Sequence, residues 1–406
     1  MITQGQEELG TNGLFLKISP LDFARASRDQ RELSVMRDLG MATLVMTKGQ
    51  RRGTTITHGW TVLELSTRPL GVSSLLVNLN RLTSLATWAL EARRLRPSII
   101  SGHDLLGLFI AWLSTWFVPR GRRPLLVYDS QEFELGRNTG GRRGPWTSRR
   151  VQHLESFLMR RCVFSIMVND AIAERVQKIH GLAEKPVVVR NIPPFWAIDE
   201  QKCGERRADF CRALGVPLDT FLLMYHGGVG PNRGIEVSIR ALVGRESVAL
   251  VVLGNGDREY LGRLRGFTQE LGVRDRVVFF DAVPLEVLGE YVGAADAGMV
   301  IVPAVTESYY LMLPNKFFEN VQALTPVIAS DFPEIGALVR KYDIGVLVDP
   351  EDVPQVGDAI DRLQSDPAVR SRLRANLKTA KGDLCWENEK KRLEVAYSRI
   401  LREPCD

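Results

Sequence analysis

A regular alternation of short apolar runs with longer stretches of helical periodicity constrains the fold of this chain more than any other feature. Ten short runs predict strands: Thr43–Met46, Thr61–Leu65, Ser98–Ile100, Leu125–Tyr128, Phe164–Val168, Phe221–His226, Ala249–Leu253, Val277–Phe280, Gly298–Val302 and Val327–Ala329. Apolar strands separated by helices are typical of parallel sheets covered on both faces. Because 406 residues exceed the usual size of one core, we predict an α/β protein with two Rossmann-like domains.

The boundary between the two domains is predicted near residues 189–197. The paired prolines Pro193 and Pro194 in this segment cannot continue a strand. We therefore predict a first domain over residues 1–196 and a second over residues 197–384, with a cleft between them. Helical periodicity from Trp386 to Leu401 predicts that residues 385–406 form a helix returning to the first domain.

Composition argues against several classes of protein. The five cysteines show neither CxxC nor zinc-like spacing, and there are only five histidines. We therefore expect that these residues form no metal site and that the protein works in a reducing compartment. The opening segment lacks the basic start and apolar core of a signal peptide. The longest apolar run, Leu105–Val118, is shorter than the roughly 20 residues that span a bilayer and predicts a buried helix. We expect a cytoplasmic protein.

Charge is distributed unevenly between the two halves. Residues 1–190 carry 27 Lys and Arg against 16 Asp and Glu, a net of +11, whereas residues 191–406 carry 26 against 32, a net of −6. Basic clusters in the first half are Arg93-Arg94, Arg120–Arg123, Arg142-Arg143, Arg149-Arg150 and Arg160-Arg161. The first half should attract an anionic partner. Nucleic acid is not expected, because these clusters have no aromatic platform or known motif around them.

The sequence of Pro314–Glu319 predicts a loop followed by the start of a helix. Free backbone N–H groups and the dipole favour a phosphate at a helix start, and Lys316 adds a charge there. Glu319 follows one turn later, where its carboxylate can accept two ribose hydroxyls. A capped surface helix with a Lys–Glu pair would have the same local sequence.

Two glycine-rich loops and a strand end complete this pattern. Gly227–Gly234 follows the strand Phe221–His226 and contains Arg233, which can clamp a phosphate. The second loop, Gly254-Asn255-Gly256-Asp257, follows the next strand. Main-chain groups near Val278, at the end of the strand after that, could form hydrogen bonds with a nucleotide base. Ligands of open parallel sheets bind at the carboxyl ends of strands. Either loop alone is also compatible with an ordinary turn.

Taken together, these segments resemble the family 4 retaining glycosyltransferases, which have the GT-B fold. The resemblance is clear from about Leu222 to Leu347, in YHGGVGPNRGIE, LVVLGNGD, LPNKFFE and TPVIASDFPEIG. It is fainter in the first half, in SIISGHDLLG, LVYDSQEFEL, VNDAIAERV and VVVRNIPP. Position 311 is Leu where many members have a second glutamate, so the chain looks like the branch with Pro-Asn-Lys-x-x-Glu.

The resemblance implies a donor pocket in the second half. Its residues would be Gly228, Arg233, Gly254, Asn255, Val278, Pro314, Asn315, Lys316 and Glu319. Arg233 and Lys316 would hold the diphosphate and Glu319 the ribose, with Asn315 and main chain near the sugar. The nucleotide diphosphate-sugar would be a co-substrate, and neither a cofactor nor a metal is implied.

The catalytic candidates are His103, Gln131 and Glu132 in the first half. His103 follows a strand end, where a functional role and a structural hydrogen-bonding role are equally compatible with the sequence. Gln131 stands where relatives often have His, and a glutamine cannot relay a proton. Glu132 and Asp22 are lesser candidates for binding acceptor hydroxyls.

The function predicted from this resemblance is retaining, metal-independent, hexosyltransferase-like transfer from a nucleotide-sugar to a glycan or lipid-linked acceptor. The expected setting is the assembly of a cell-surface polysaccharide or glycolipid at the anionic inner surface of the membrane. Contact with that surface could involve Trp112, Trp116 and Phe117 beside Arg120–Arg123. Alternatives are a non-catalytic nucleotide-sugar-binding relative and a sugar-nucleotide epimerase. A nicotinamide-dependent oxidoreductase is disfavoured, because no GxGxxG follows the first strand.

Overall fold

The chain folds into two compact units, each built around one largely parallel sheet. The computed structural model describes residues 13–21, 23, 26–49, 52–66, 74–137 and 144–402. The first unit comprises Met1–Arg190 with Lys390–Asp406, and the second comprises Asn191–Glu389. The predicted fold class, two Rossmann-like α/β domains, is confirmed. Asp22 and the Arg142-Arg143 pair lie outside the described residues.

The first unit contains a sheet in the order β3-β4-β2-β1-β5-β6-β7-β8. Its strands are β1 (Leu14–Ser19), β2 (Ala42–Gly49), β3 (Gly53–Thr57), β4 (Trp60–Ser66), β5 (Ile99–His103), β6 (Leu125–Asp129), β7 (Phe164–Met167) and β8 (Val187–Val188). Its helices are α1 (Ser27–Asp38), α2 (Ser74–Arg94), α3 (Asp104–Ser114), α4 (Pro145–Met159) and α5 (Asp170–His180). All neighbours are parallel except β3 with β4.

Strand β1 has no counterpart among the sequence-predicted strands. It lies at the centre of the first sheet, and Lys17 in its middle is fully buried. A lysine interrupts the apolar run on which strand prediction depends. The order in which the chain adds strands reverses between the parallel neighbours β1 and β5. The carboxyl ends of these strands, at Ser19 and His103, therefore lie at the switch point where parallel sheets bind ligands.

The second unit contains a sheet in the order β11-β10-β9-β12-β13-β14, parallel throughout. Its strands are β9 (Phe221–His226), β10 (Val248–Leu253), β11 (Val277–Phe280), β12 (Ala297–Val300), β13 (Val327–Ser330) and β14 (Gly345–Val348). Its helices are α6 (Glu200–Leu214), α7 (Ile235–Arg240), α8 (Arg258–Glu270), α9 (Leu285–Gly293), α10 (Glu307–Tyr310), α11 (Asn315–Gln322), α12 (Pro333–Tyr342), α13 (Val353–Ser365) and α14 (Pro367–Asp383). This is the strand order of a Rossmann sheet, with its switch point between β9 and β12.

The last helix, α15 (Trp386–Arg402), enters the core of the first unit. The ring of Tyr397 lies between those of Phe15 and Phe164, at centroid distances of 5.7 and 5.1 Å. Its hydroxyl donates a hydrogen bond to Glu32. In the part of the chain that the structure describes, no helix has both the length and the apolar character needed to cross a bilayer.

Candidate functional site

A polar cluster lies in the second unit where β9 ends and α11 begins. Phe317, Phe318 and Val321 anchor α11 in the hydrophobic core. On the same short helix, Glu319 Oε2 lies 2.9 Å from Nε2 of His226, the last residue of β9. The histidine therefore fixes the carboxylate beside the switch point of the sheet, where Rossmann folds bind ligands.

Lys316 is the most unusual side chain of this cluster. It is only 8% exposed, and its Nζ has no hydrogen-bond partner within the described residues. The ammonium lies 3.9 Å from the ring centroid of Tyr225, a cation–π distance. Burial, together with the nearby charge of Arg233, lowers the pKa of Lys316 to about 7, although the charge of Glu319 opposes this shift. A buried ammonium without an acceptor is costly unless a ligand supplies one.

Arg233 brings a second positive charge to the same place. It forms no ion pair in the described parts of the chain, and its guanidinium carbon lies 5.8 Å from the ring centroid of Tyr309. The charges of Lys316 and Arg233 repel each other, and the nearby carboxylate of Glu319 partly offsets this repulsion. The cluster is therefore electrostatically suited to bind an anion.

The first turn of α11 supplies backbone donors. Pro314 is the N-cap and Asn315 the exposed first residue, while the N–H of Phe317 bonds the carbonyl of Pro314 at 3.0 Å. The first N–H groups of a helix have no partner within it, and the dipole places partial positive charge there. Pro314 and Asn315 therefore occupy the position that the sequence predicted for them.

The two glycine-rich loops pack directly on each other. Gly254 has φ +155°, and a Cβ on it would lie 1.9 Å from the carbonyl oxygen of Gly227. The N–H of Val229 bonds the carbonyl of Asn255 at 2.9 Å, and the Asn255 side chain accepts from the N–H of Ala282 at 3.1 Å. Asn255 is thus occupied in shaping the loops.

Gly228 and Val278 have different surroundings. The hydroxyl of Tyr225 donates to the Gly228 carbonyl at 2.6 Å, which ties the first loop to the ring that Lys316 contacts. Val278 lies within β11 rather than at its end, is paired with Val251 and packs against the hydrophobic core. Its partly buried side chain therefore supports the core.

The sequence analysis missed His226. The sequence pattern treats it only as the last residue of an apolar strand. In the structure its Nε2 bonds Glu319, and its buried Nδ1 has no hydrogen-bond partner among the described residues. A polar residue at the carboxyl end of a strand that neighbours the switch point was the available signal.

The catalytic candidates lie together in the first unit, at the ends of β5 and β6. Nδ1 of His103 lies 2.8 Å from Asp29 Oδ1 and 3.4 Å from Nε2 of Gln131. The Glu132 carboxylate pairs with Arg137 Nε at 2.9 Å. Burial acts to lower the pKa of His103, but the hydrogen bond and charge of Asp29 outweigh it, and the pKa lies above its ordinary value.

A network of buried charges supports His103. Lys17 Nζ lies 2.9 Å from Asp129 and 3.4 Å from Asp29, and Arg28 contacts Asp129 at 2.8 Å. Burial raises the pKa of Asp129, but Arg28 and Lys17 outweigh this and hold it well below its usual range. Ligand atoms of Asp29, His103 and Asp129 lie within 4.8 Å of one another, a spacing that could hold a metal. Because Asp29 and Asp129 already form ion pairs with Lys17 and Arg28, we interpret the cluster as an ion-pair network that orients His103.

His103 also lines a cavity of about 440 Å³ in the first unit. Its polar lining is His103, Asp104, Glu134 and Arg137, and its apolar lining is Pro20, Leu21, Leu105, Leu106, Phe109 and Leu154. The cavity can therefore offer hydrogen bonds to hydroxyl groups and contacts to an apolar group.

Residues 207–380 match the family model described as glycosyl transferases group 1. The interval includes every donor-site candidate from Gly228 to Glu319. An uncharacterized glycosyltransferase of Methanocaldococcus jannaschii is 30% identical over 241 residues, 57% of this chain and 59% of that protein. The chain spans about half of the length of the curated relatives it matches, from 59% down to 49%.

Solved structures resemble the whole chain. Sucrose-phosphate synthase from Thermosynechococcus elongatus has a TM-score of 0.75 at 18% identity, covering 95% of this chain and 98% of that one. Anabaena HepE in complex with UDP-glucose has a TM-score of 0.73 at 15% identity, covering 95% of this chain and 100% of that one. The two-domain fold is therefore that of GT-B glycosyltransferases.

Proposed function

We propose that this chain is a glycosyltransferase that uses a nucleotide diphosphate-sugar as donor. One observation carries the proposal: the buried ammonium of Lys316 has no hydrogen-bond partner in the described parts of the chain, and it lies near Arg233 at the start of α11. A diphosphate would satisfy both cations and the free N–H groups of the helix. The match of residues 207–380 to glycosyl transferases group 1 supports the same assignment.

Each donor-site residue then has a role that follows from its position. Lys316, Arg233 and the first turn of α11 neutralise the diphosphate, which leaves when the glycosidic bond breaks. Stabilising that developing charge is the main electrostatic requirement of the reaction, and these groups can meet it without a metal. Glu319, held by His226 at 2.9 Å, binds the ribose hydroxyls. Gly254 allows the two loops to pack on each other, whereas a Cβ on Gly228 would meet nothing within 4 Å, so the nucleotide can approach the backbone there.

The acceptor is proposed to bind in the cavity beside His103. Its mainly apolar lining with four polar residues suits an acceptor in which sugar hydroxyls adjoin an apolar carrier, such as a lipid-linked glycan. His103, Gln131 and Glu132 would contact the reacting hydroxyl, with retention of anomeric configuration. Membership in the Pro-Asn-Lys-x-x-Glu branch of family 4, a cytoplasmic location at the inner membrane face, and a role in cell-surface glycan assembly belong to the same proposal.

A thermal-shift panel of nucleotides and nucleotide-sugars tests the donor site. A ligand at 100 times its Kd adds about 2.7 kcal/mol to the free energy of unfolding. We expect one nucleotide class to raise the Tm of the wild type, and Glu319→Ala to abolish the shift. Glu334→Ala, an acid on the neighbouring helix α12, is the matched control and should keep it. No shift with any nucleotide would refute the proposed function.

Donor binding without transfer is a second candidate. It is favoured by the state of the catalytic candidates: His103 is 2% exposed and engaged by Asp29, and Gln131 cannot relay a proton. Hydrolysis of the nucleotide-sugar in the absence of acceptor distinguishes the two, because a binding-only protein would release no sugar. NMR of the product anomer then tests retention.

A further inference from the structure

A second cavity, of about 530 Å³, lies at the opposite edge of the first sheet from His103. Pro97, which precedes β5, and Pro124, which precedes β6, are among its lining residues, so it opens at the amino ends of these strands. The ligand crevice of a parallel sheet lies at the carboxyl ends. This cavity is therefore separate from the catalytic candidates, and a ligand bound in it would have no part in the proposed transfer reaction.

Three arginines from two different segments line this cavity. Arg93 and Arg96 come from the end of α2 and the residues after it, and Arg122 comes from the turn before β6. None of the three forms an ion pair within the described residues. Arg94, in contrast, is neutralised by Glu91 at 2.7 Å and does not line the cavity. A role in stabilising the carboxyl end of helix α2 could explain the position of Arg93. It does not explain why Arg122, from another segment of the chain, lines the same cavity.

Aromatic side chains are exposed at the mouth of the same cavity. Phe117 lines it, is 85% exposed and has φ +60°, a backbone conformation that a bulky residue rarely adopts. Trp116 beside it is 48% exposed, and its carbonyl accepts a hydrogen bond from Arg93 at 3.4 Å. Trp116 packs edge-on against Trp112, at 5.1 Å between ring centroids. The arginines and the exposed rings thus form one structural unit.

We propose that this cavity binds the phosphate of an anionic phospholipid, while Phe117 and Trp116 insert between the lipids around it. Arginines that form no ion pair with any described residue match a phosphate diester by charge and by hydrogen-bonding geometry. Exposed aromatic rings beside them add the apolar contact with a membrane interface that a dissolved phosphate would not need. We call residues Arg93, Arg96, Trp116, Phe117 and Arg122 the lipid-binding face.

Co-sedimentation of the full chain with vesicles tests this assignment. Phosphatidylcholine vesicles with about 30% phosphatidylglycerol should bind the protein, and pure phosphatidylcholine should not. Each arginine lost from an anionic surface lowers partitioning about fivefold, so Arg93→Gln, Arg96→Gln and Arg122→Gln together should lower it about a hundredfold. The control combines Arg258→Gln, Arg274→Gln and Arg362→Gln, exposed arginines of the second unit, with the same change in net charge.

The variant Phe117→Asn distinguishes binding to a lipid from binding to a soluble phosphate compound. Asparagine tolerates the left-handed backbone, so the fold should persist while vesicle binding falls at least about tenfold. Equal losses in the triple variant and its control would overturn the assignment, because binding would then depend on net charge alone. Displacement from vesicles by glycerol 3-phosphate, with no effect of Phe117→Asn, would also overturn it and indicate a soluble phosphate ligand. Unchanged Tm values in all variants confirm that the fold is intact.

Discussion

Binding of the nucleotide-sugar should take up a proton at Lys316. In the ligand-free protein, burial and the charge of Arg233 hold the pKa of Lys316 at about 7, so much of the side chain is neutral above that pH. A bound diphosphate is a strong hydrogen-bond acceptor with two negative charges and should return the pKa toward 10.5, the ordinary lysine value. The ligand therefore binds the protonated form, and affinity should fall as the pH rises.

The expected size of this effect follows from the pKa. With a pKa of about 7 in the free protein and full protonation in the complex, the apparent Kd grows with the fraction of neutral Lys316. Between about pH 6 and about pH 8.5 the Kd should rise roughly thirtyfold, or about 2 kcal/mol. The phosphates of a nucleotide-sugar are diesters and stay ionised over this range, so they add no pH dependence of their own.

Isothermal titration calorimetry measures both the Kd and the proton uptake. UDP-glucose, or whichever nucleotide-sugar raises the Tm most, is titrated in pairs of buffers with different ionisation enthalpies. At about pH 8 we expect uptake of about 0.9 proton per site. Lys316→Arg is the matched control, because arginine stays charged and should show neither uptake nor pH dependence. A wild-type Kd that is flat over this range, with no proton taken up, would refute the assignment of Lys316 to the diphosphate.

Three further predictions concern stability. Lys316→Met should raise the ligand-free stability, because below about pH 7 the wild type must bury a charged ammonium, and this cost is relieved as the pH rises toward 10.5. Urea unfolding should therefore show the largest gain at low pH and the smallest at about pH 10. Gly254→Ala should cost about 3 kcal/mol or more, because its Cβ would clash with the Gly227 carbonyl, whereas Gly262→Ala on the open surface of α8 should be neutral or stabilising. His103→Gln should lower the free energy of unfolding more at pH 5.5 than at pH 9. The raised pKa of His103 contributes stability that is fully present below pH 6.5 and is lost as the pH rises through the pKa of the folded state. Equal losses at both pH values would count against the Asp29–His103 pair.

Much of the fold was predictable because it depends on periodicity. Strands such as Phe221–His226 and Val277–Phe280 coincide with the predicted runs, since a strand buried on both faces must be apolar throughout. Strand β1 was missed because Lys17 lies in its middle. That lysine is compatible with burial only because Asp29, Glu32 and Asp129 surround it. These acids come from a helix and a distant strand, which no local pattern connects.

The sequence alone determined the two parallel sheets and the positions of the groups that would bind an anion, because both depend on short-range order: apolar runs, glycines after strands, and a lysine at a helix start. Only the tertiary structure decided how those groups behave. It buries Lys316 against Tyr225, joins Glu319 to His226 across 93 residues of sequence, and engages His103 with Asp29. Burial and pairing set the pKa values and the free hydrogen-bonding capacity of these side chains, and both arise from neighbours that are far apart in the chain.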